Sequence, residues 1–253
     1  MSAMRISGIF LMLGVLWVCS TGPLIAAQSN VGTDPGTTFT SLFSFDGADG
    51  EFPSAALIQG TDGNLYVTTV EGGANCPPLG CGTIFKVTPS GTLTTLHSFD
   101  GADGTEPHAL VQATNGNFYG TTAFGGANGD GTVFEITPGG TLTTLASFNV
   151  TDGANPEVAL IQATDGNFYG TTSKGGANTC TAPSMVPNSD AHDNQPPRKT
   201  VTCGTVFRIT PGGMLTTLAS FGPAGGSDPF SPLIQATDGN FYGTTPDTVF
   251  AAR

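Results

Sequence analysis

At 253 residues, with 19 Asp+Glu against 7 Lys+Arg, the chain carries a formal charge of −12. A chain this acidic has no basic stripe for phosphate backbones or anionic lipid, so neither nucleic acid nor a membrane surface is an expected partner. Charged residues make up only 10%, while Gly reaches 37 and Phe 17. That mixture suits short strands and tight turns, and it is too rich in large apolar side chains for a disordered chain.

In chain order, Arg5 precedes an apolar run from Ile6 to Val18, and Ala26-Ala27 follow. This order predicts a secretory signal peptide over 1–27, because the run is shorter than the roughly 20 residues that cross a bilayer. Cys19 follows Val18, where a lipid-attachment motif wants a small residue. No later apolar stretch is long enough to anchor the chain, so no membrane insertion is expected of the mature protein. A linker over 28–36 leads into a repeat domain over 37–253.

A block of about fifty residues then recurs four times. Its core reads Asp62-Gly63-Asn64-Leu65-Tyr66, Asn115-Gly116-Asn117-Phe118-Tyr119, Asp165-Gly166-Asn167-Phe168-Tyr169 and Asp238-Gly239-Asn240-Phe241-Tyr242. In the shortest copy, Ala109 to Thr114 reads as a first strand and Asn115-Gly116 as a hairpin turn. Asn117 to Thr122 returns, β-branched Thr132 to Thr137 makes a third strand, Pro138-Gly139-Gly140 turns, and Thr141 to Phe148 is the fourth. Helical periodicity is absent. The predicted fold is all-β, a β-propeller-like array of about four four-stranded antiparallel blades. The first segment, Thr37 to Phe45, reads as an orphan fourth strand, and the last copy stops after a third strand, Thr248-Val249-Phe250. The N-terminal strand is therefore placed to close the last blade and remove a sheet edge. A shortened member of a larger family, left open or completed by dimerisation, is the alternative.

Loops of an up-and-down meander alternate between two faces. The Asp-Gly hairpins and Pro-Gly-Gly turns share one face and are uniform. The Gly-Gly-Ala-Asn loops and the Asp-Gly-Ala-Asp-Gly segments between copies share the other, where every length change falls. Most of the acid lies on that second face, including Glu51, Glu71, Glu106, Glu157 and Asp228, and Asp46, Asp49, Asp100, Asp103, Asp130 and Asp152 are the candidate binding residues. The turns Asp46–Gly50 and Asp100–Gly104 carry oxygen donors that Ca²⁺ could use. Their spacing matches neither an EF-hand nor a Gly-Gly-x-Gly-x-Asp repeat, and Asp and Gly also dominate ordinary turns. No cofactor is expected, with Ca²⁺ the alternative.

Four cysteines remain after Cys19 and permit three pairings. Cys76 and Cys81 bracket one extended loop, and Cys180 and Cys203 bracket a polar insertion over 179–202 that contains Arg198-Lys199. Each pair arrives with its loop insertion, so Cys76–Cys81 and Cys180–Cys203 are the expected disulfides, suited to an exported chain. His97, His108 and His192 occupy unrelated repeat positions, and no nucleophile elbow, zinc-protease motif or phosphate loop is present. No catalytic residue is assigned, although Asp103 with Asp130 is a conceivable glycosidase pair. The four repeated tyrosines read as packing between copies.

The segment Gly131 to Phe148, continuing through Leu160 to Thr172 and Gly175 to Asn178, resembles the GloVer-type tandem repeat of bacterial extracellular proteins with a choice of C-terminal anchors. The resemblance covers Thr37 to Phe250 and implies an exported, propeller-like surface protein, with no catalytic residues to carry over. The chain departs from the pattern after Phe250, where Ala251-Ala252-Arg253 stand in place of an anchor. The expected function is a secreted, non-enzymatic module that binds an extracellular polysaccharide or surface protein. A passive structural or adhesive repeat is the second reading, and a carbohydrate-active enzyme the third.

Overall fold

Gly63 sets the first turn at φ 83°, a left-handed conformation that a side chain would disfavour. The turn is closed by hydrogen bonds from the Gly60 amide to the Asn64 carbonyl (2.8 Å) and from the Gly63 amide to the Gly60 carbonyl (2.9 Å). This hairpin opens each of four antiparallel sheets in the computed structural model, which describes residues 40–181, 200–223 and 226–253. The expected signal peptide, Cys19, the linker, and residues 182–199 with His192 and Arg198-Lys199 lie outside the described residues. Ser41–Arg253 form one compact unit. All strand pairs are antiparallel, and no helix occurs among the described residues.

The first blade runs β1 (Ile58–Gln59), β2 (Leu65–Thr69), β3 (Thr83–Val87) and β4 (Leu93–Ser98). The second runs β5 (Thr105–Pro107), β6 (Val111–Gln112), β7 (Phe118–Phe124), β8 (Thr132–Ile136) and β9 (Leu142–Ser147). The third is β10 (Ile161–Gln162), β11 (Phe168–Thr172), β14 (Thr205–Ile209) and β15 (Leu215–Ser220). Between its second and third strands stands a two-stranded ribbon, β12 (Thr179–Thr181) and β13 (Thr200–Thr202), at the base of the insertion. The fourth is β16 (Ile234–Gln235), β17 (Phe241–Thr244) and β18 (Val249–Ala252).

The first strand of each copy is shorter than its sequence suggests. Of Ala109 to Thr114 only Val111–Gln112 pair with β7, while Thr105–Pro107 pair further along the same strand. The reason is local: Glu106 takes a left-handed φ of 55°, and Pro107 has no amide to give to a ladder.

The core lies between blades rather than inside them. One cluster joins Tyr66, Ile84 and Phe99 of the first blade to Leu110, Phe118, Phe134 and Ile136 of the second. Equivalent clusters join the second blade to the third and the third to the fourth. Tyr66 packs on Phe118 at 4.1 Å between ring centres, Tyr119 stacks on Phe168 at 4.0 Å, and Tyr169 on Phe241 at 4.0 Å. A second row pairs Phe99 with Phe134, Phe148 with Phe207 and Phe221 with Phe250. Each fully buried ring contributes on the order of 1.5–3 kcal/mol, so each blade is held mainly by its neighbours.

The closing strand expected of Thr37 to Phe45 is not formed among the described residues. Residues 41–46 carry no strand, and the fourth sheet is three-stranded with β18 at its edge. Phe45 lies instead on the first blade, 4.8 Å from Phe85 between ring centres. Contact with its sequence neighbour blade holds it there.

Candidate functional site

The two loop classes of the variable face do meet. The Gly73 amide donates to the Gly47 carbonyl at 2.9 Å, and the Gly126 amide to the Gly101 carbonyl at 2.9 Å. Asn75 and Asn128 donate from their side chains to the Ser98 and Phe148 carbonyls at 3.1 and 2.9 Å. Both expected disulfides are present, Cys76–Cys81 and Cys180–Cys203, with Cα atoms 5.4 and 5.5 Å apart.

The six sequence-selected aspartates divide by role. The Asp46 amide donates to Asp49 Oδ1 at 3.1 Å, while Asp46 Oδ1 accepts from the Ala48 amide at 3.0 Å. Asp100 and Asp103 repeat this reciprocal arrangement at 2.9 Å in both bonds. Asn149 and Asp152 use the amide version in the third copy, Asn149 donating to Asp152 and accepting from the Thr151 amide. These carboxylates cap their own turns. Asp130 contributes its backbone carbonyl to the Asn155 amide at 3.0 Å.

Asp103 also takes His97 Nε2 at 2.6 Å. Burial would raise the Asp103 carboxyl, but the bonds from His97 and the Asp100 amide outweigh it and hold the group below the ordinary carboxylate value. The pairing arises because the end of β4 and the turn that follows it fold against each other; it was not foreseen, since the other copies carry no histidine at that position.

A different set of acids converges where each copy enters its first strand. Phe52, Glu106, Asn155 and Asp228 hold the same repeat position, each before a proline, with φ of 55°, 55°, 56° and 51°. Left-handed backbone at a non-glycine residue stores strain, and such positions cluster at functional sites. The conformation is fixed by hydrogen bonds, from the Glu106 amide to the Cys81 carbonyl at 3.1 Å and from the Ser173 amide to the Asn155 carbonyl at 3.0 Å.

Around this bend the charges are close enough to perturb one another. Burial, then the Glu71 carboxylate, pushes Glu106 above the usual range. Burial also raises Glu157; Lys174 opposes that, and Asp228 and Glu106 add to it. Acids from all four copies, Glu71, Glu106, Glu157 and Asp228, thus share one field. Two buried nitrogens beside them have no partner among the described residues, His108 Nε2 and Asn155 Nδ2, and Asn155 is only 6% exposed. Burial pushes the His108 imidazole down, favouring its neutral form. The sequence signal was the acid-or-amide before proline in successive copies; only its left-handed geometry distinguishes it from a turn.

Fold and site together define an all-β, propeller-like repeat protein with an acidic convergence at the start of its first strands. The chain matches the Gloeobacter/Verrucomicrobia repeat over residues 31–182, and it belongs to that family. No curated protein sequence matches it. Among solved structures, a catalytically inactive virginiamycin B lyase from Staphylococcus aureus with quinupristin is similar at 14% identity and TM-score 0.50, covering 83% of this chain and 57% of that one. A gluconolactonase from Xanthomonas campestris is similar at 14% identity and TM-score 0.45, covering 78% of this chain and 55% of that one. The likeness to the lyase is one of fold alone, and the chain spans little more than half the length of either structure.

Proposed function

We propose that the chain is an exported, non-catalytic binding module that takes an extracellular glycan at the convergence of Glu106, Asn155, Glu157 and Asp228. The observation that carries this reading is the Asn155 amide, buried and without a partner beside carboxyl groups that burial has raised. An unsatisfied buried donor is costly, and a polyhydroxyl ligand would accept from it while donating hydroxyls to Glu106 and Glu157. The turn aspartates, occupied with their own amides, serve the loops. Two disulfides fit an exported chain, and no helix among the described residues is long and apolar enough to cross a membrane.

The test is binding of the purified chain to an array of cell-wall and extracellular polysaccharides, in Ca²⁺ and in EDTA. Selective binding that falls at least tenfold in Asn155→Ala and in the double variant Glu106→Gln, Glu157→Gln supports the module. Loss in EDTA would bring in a metal, and absence of binding to any glycan would favour a passive surface repeat. A carbohydrate-active enzyme is the second reading, favoured by two carboxyls of one face, Glu106 and Glu157, that burial raises above the usual range. It requires product release from a bound polysaccharide that Glu106→Gln or Glu157→Gln abolishes.

A further inference from the structure

The three Gly-Gly-Ala-Asn loops are not held in the same way. Those of the first and third copies are closed by Cys76–Cys81 and Cys180–Cys203, whereas Gly125 to Gly131 of the second copy contains no cysteine. In all three the loop asparagine acts as a pin: Asn75, Asn128 and Asn178 donate from Nδ2 to the Ser98, Phe148 and Ser220 carbonyls at 3.1, 2.9 and 3.1 Å. Asn75 and Asn178 precede Cys76 and Thr179, but Asn128 precedes Gly129. An asparagine before glycine is chemically exposed, because the next backbone nitrogen can close a five-membered ring on the side-chain carbonyl and glycine has no Cβ to shield that nitrogen.

The Asn-Gly pair occurs twice, at Asn115-Gly116 and Asn128-Gly129, and the fold treats the two differently. The Gly116 amide donates to the Ala113 carbonyl at 2.9 Å. Asn115 Oδ1 accepts from the Asn117 amide at 3.0 Å, and its Nδ2 donates to the Tyr119 hydroxyl at 2.9 Å. The attacking nitrogen and both ends of the side-chain amide are therefore held. At the second pair, neither the Gly129 amide nor Asn128 Oδ1 has a partner among the described residues, and the bond from Nδ2 to Phe148 is the one restraint on the side chain. Both asparagines are exposed, and a Cβ added to Gly116 or to Gly129 would meet nothing within 4 Å. Room for the ring does not separate the two sites; hydrogen bonding does.

We infer that Asn128 is a site of spontaneous deamidation that unpins the second-copy loop, while Asn115 is protected. The Gly129 nitrogen bonds to Asn128 Cγ and gives up its proton through water, and the side-chain nitrogen leaves as ammonia. Water then opens the resulting succinimide at one of its two carbonyls, leaving aspartate or isoaspartate. Either product has lost the donor to the Phe148 carbonyl and sets a carboxylate beside it. The effect reaches the next blade, because the Asp130 carbonyl of this loop accepts the Asn155 amide at 3.0 Å and so helps to hold the left-handed bend of the third copy. A loss of ligand binding on ageing rests on the glycan site proposed above; the conversion itself does not.

The test ages the full chain, purified from an exporting host, in warm, mildly alkaline buffer. Chymotryptic peptides 111–118 and 125–134 carry the two sites separately. Deamidation raises a peptide's mass by the difference between a hydroxyl and an amino group and splits its peak into aspartate and isoaspartate forms. Peptide 125–134 should convert faster than 111–118 by about fivefold or more, since the Gly116 amide must first break its hydrogen bond. The two rates should become equal in chain unfolded in urea with its disulfides reduced. Equal rates in the folded chain, faster conversion at Asn115, or no conversion at Asn128 while the unfolded chain converts fully would overturn the inference. Asn128→Asp tests the consequence without ageing: deuterium exchange at the Asn155 amide should rise by about fivefold or more once the loop is released, and unchanged exchange would sink the link to the next blade. Both readouts are taken without ligand, so failure of the glycan reading would leave them unaffected.

Discussion

The hairpin acid shows how one residue change is absorbed by another. In the first, third and fourth copies Asp62, Asp165 and Asp238 accept from the following Asn side chain and from the Tyr hydroxyl, at 2.7–2.9 Å. The second copy has Asn115, and there Glu135 of β8 takes over, accepting from Asn117 at 2.7 Å and from the Tyr119 hydroxyl at 2.7 Å. Burial, then the carboxylate acceptor, pushes the Tyr66 and Tyr119 hydroxyls up to about 12. Glu135→Gln should cost about 1–2 kcal/mol in chemical denaturation, the usual value of a charge-assisted hydrogen bond, and more than Lys86→Gln in the first copy. Asp62 and Asp238 are held below the ordinary carboxylate value by hydrogen bonds, chiefly from Asn64 and the Asn240 amide; in Asp165, hydrogen bonds led by Asn167 outweigh burial. Folded values that are depressed give stability that is present above the unfolded value of about 3.9 and lost as pH falls through the folded one. The melting temperature should therefore drop below about pH 4, and Asp165→Asn should flatten that acid limb. Glu106 has the opposite sign. Its folded value is raised, so its ionisation opposes folding as pH rises past the unfolded value. Glu106→Gln should raise the melting temperature at pH 7 and leave it unchanged near pH 4, as expected where a site has been kept at a cost in stability.

At the scale of elements, each complete blade is pinned to the turn before it by a buried pair of threonines. Thr122 and Thr132 share a hydrogen bond of 2.9 Å, and the Thr132 hydroxyl donates to the Asp103 carbonyl at 3.0 Å. Thr69 with Thr83 and Thr172 with Thr205 repeat it, reaching Asp49 and Asp152. The turn must pass directly over the pair, which explains Gly104: its φ is 133°, and a Cβ there would fall 2.3 Å from Thr122 Oγ1. Gly104→Ala should destabilise by about 1–3 kcal/mol through overpacking, with Thr132→Val in a similar range because it breaks the buried Thr122–Thr132 bond and removes the donor to the Asp103 carbonyl. Both are measurable by denaturant titration. The Gly and Thr repeats were visible in the sequence as punctuation. That they form one contact between a turn and two strand ends was not, because the partners are nearly thirty residues apart in Thr132 and Asp103.

For the molecule as a whole, the disulfides and the blade contacts act at different ranges. Removing Cys180–Cys203, which closes a separation of 23 residues, should lower stability by about 3 kcal/mol, against about 2 for Cys76–Cys81, as loop entropy predicts. The repeat period, the strand order within a blade, the two loop faces and the cysteine pairing could all be read from the chain. Each depends on local periodicity, turn chemistry or neighbours in sequence, which residue order expresses directly. The acidic convergence was half visible: Glu71, Glu106, Glu157 and Asp228 stood out as acids on the variable face, but the better-spaced turn aspartates drew the site assignment. Only the folded structure separated carboxylates occupied by their own turn amides from those raised by burial and like charges. It alone also decided where Phe45 packs. A sequence pattern specifies that a segment is an outer strand, but the blade it joins is set by which apolar surface lies within reach once the other blades have assembled.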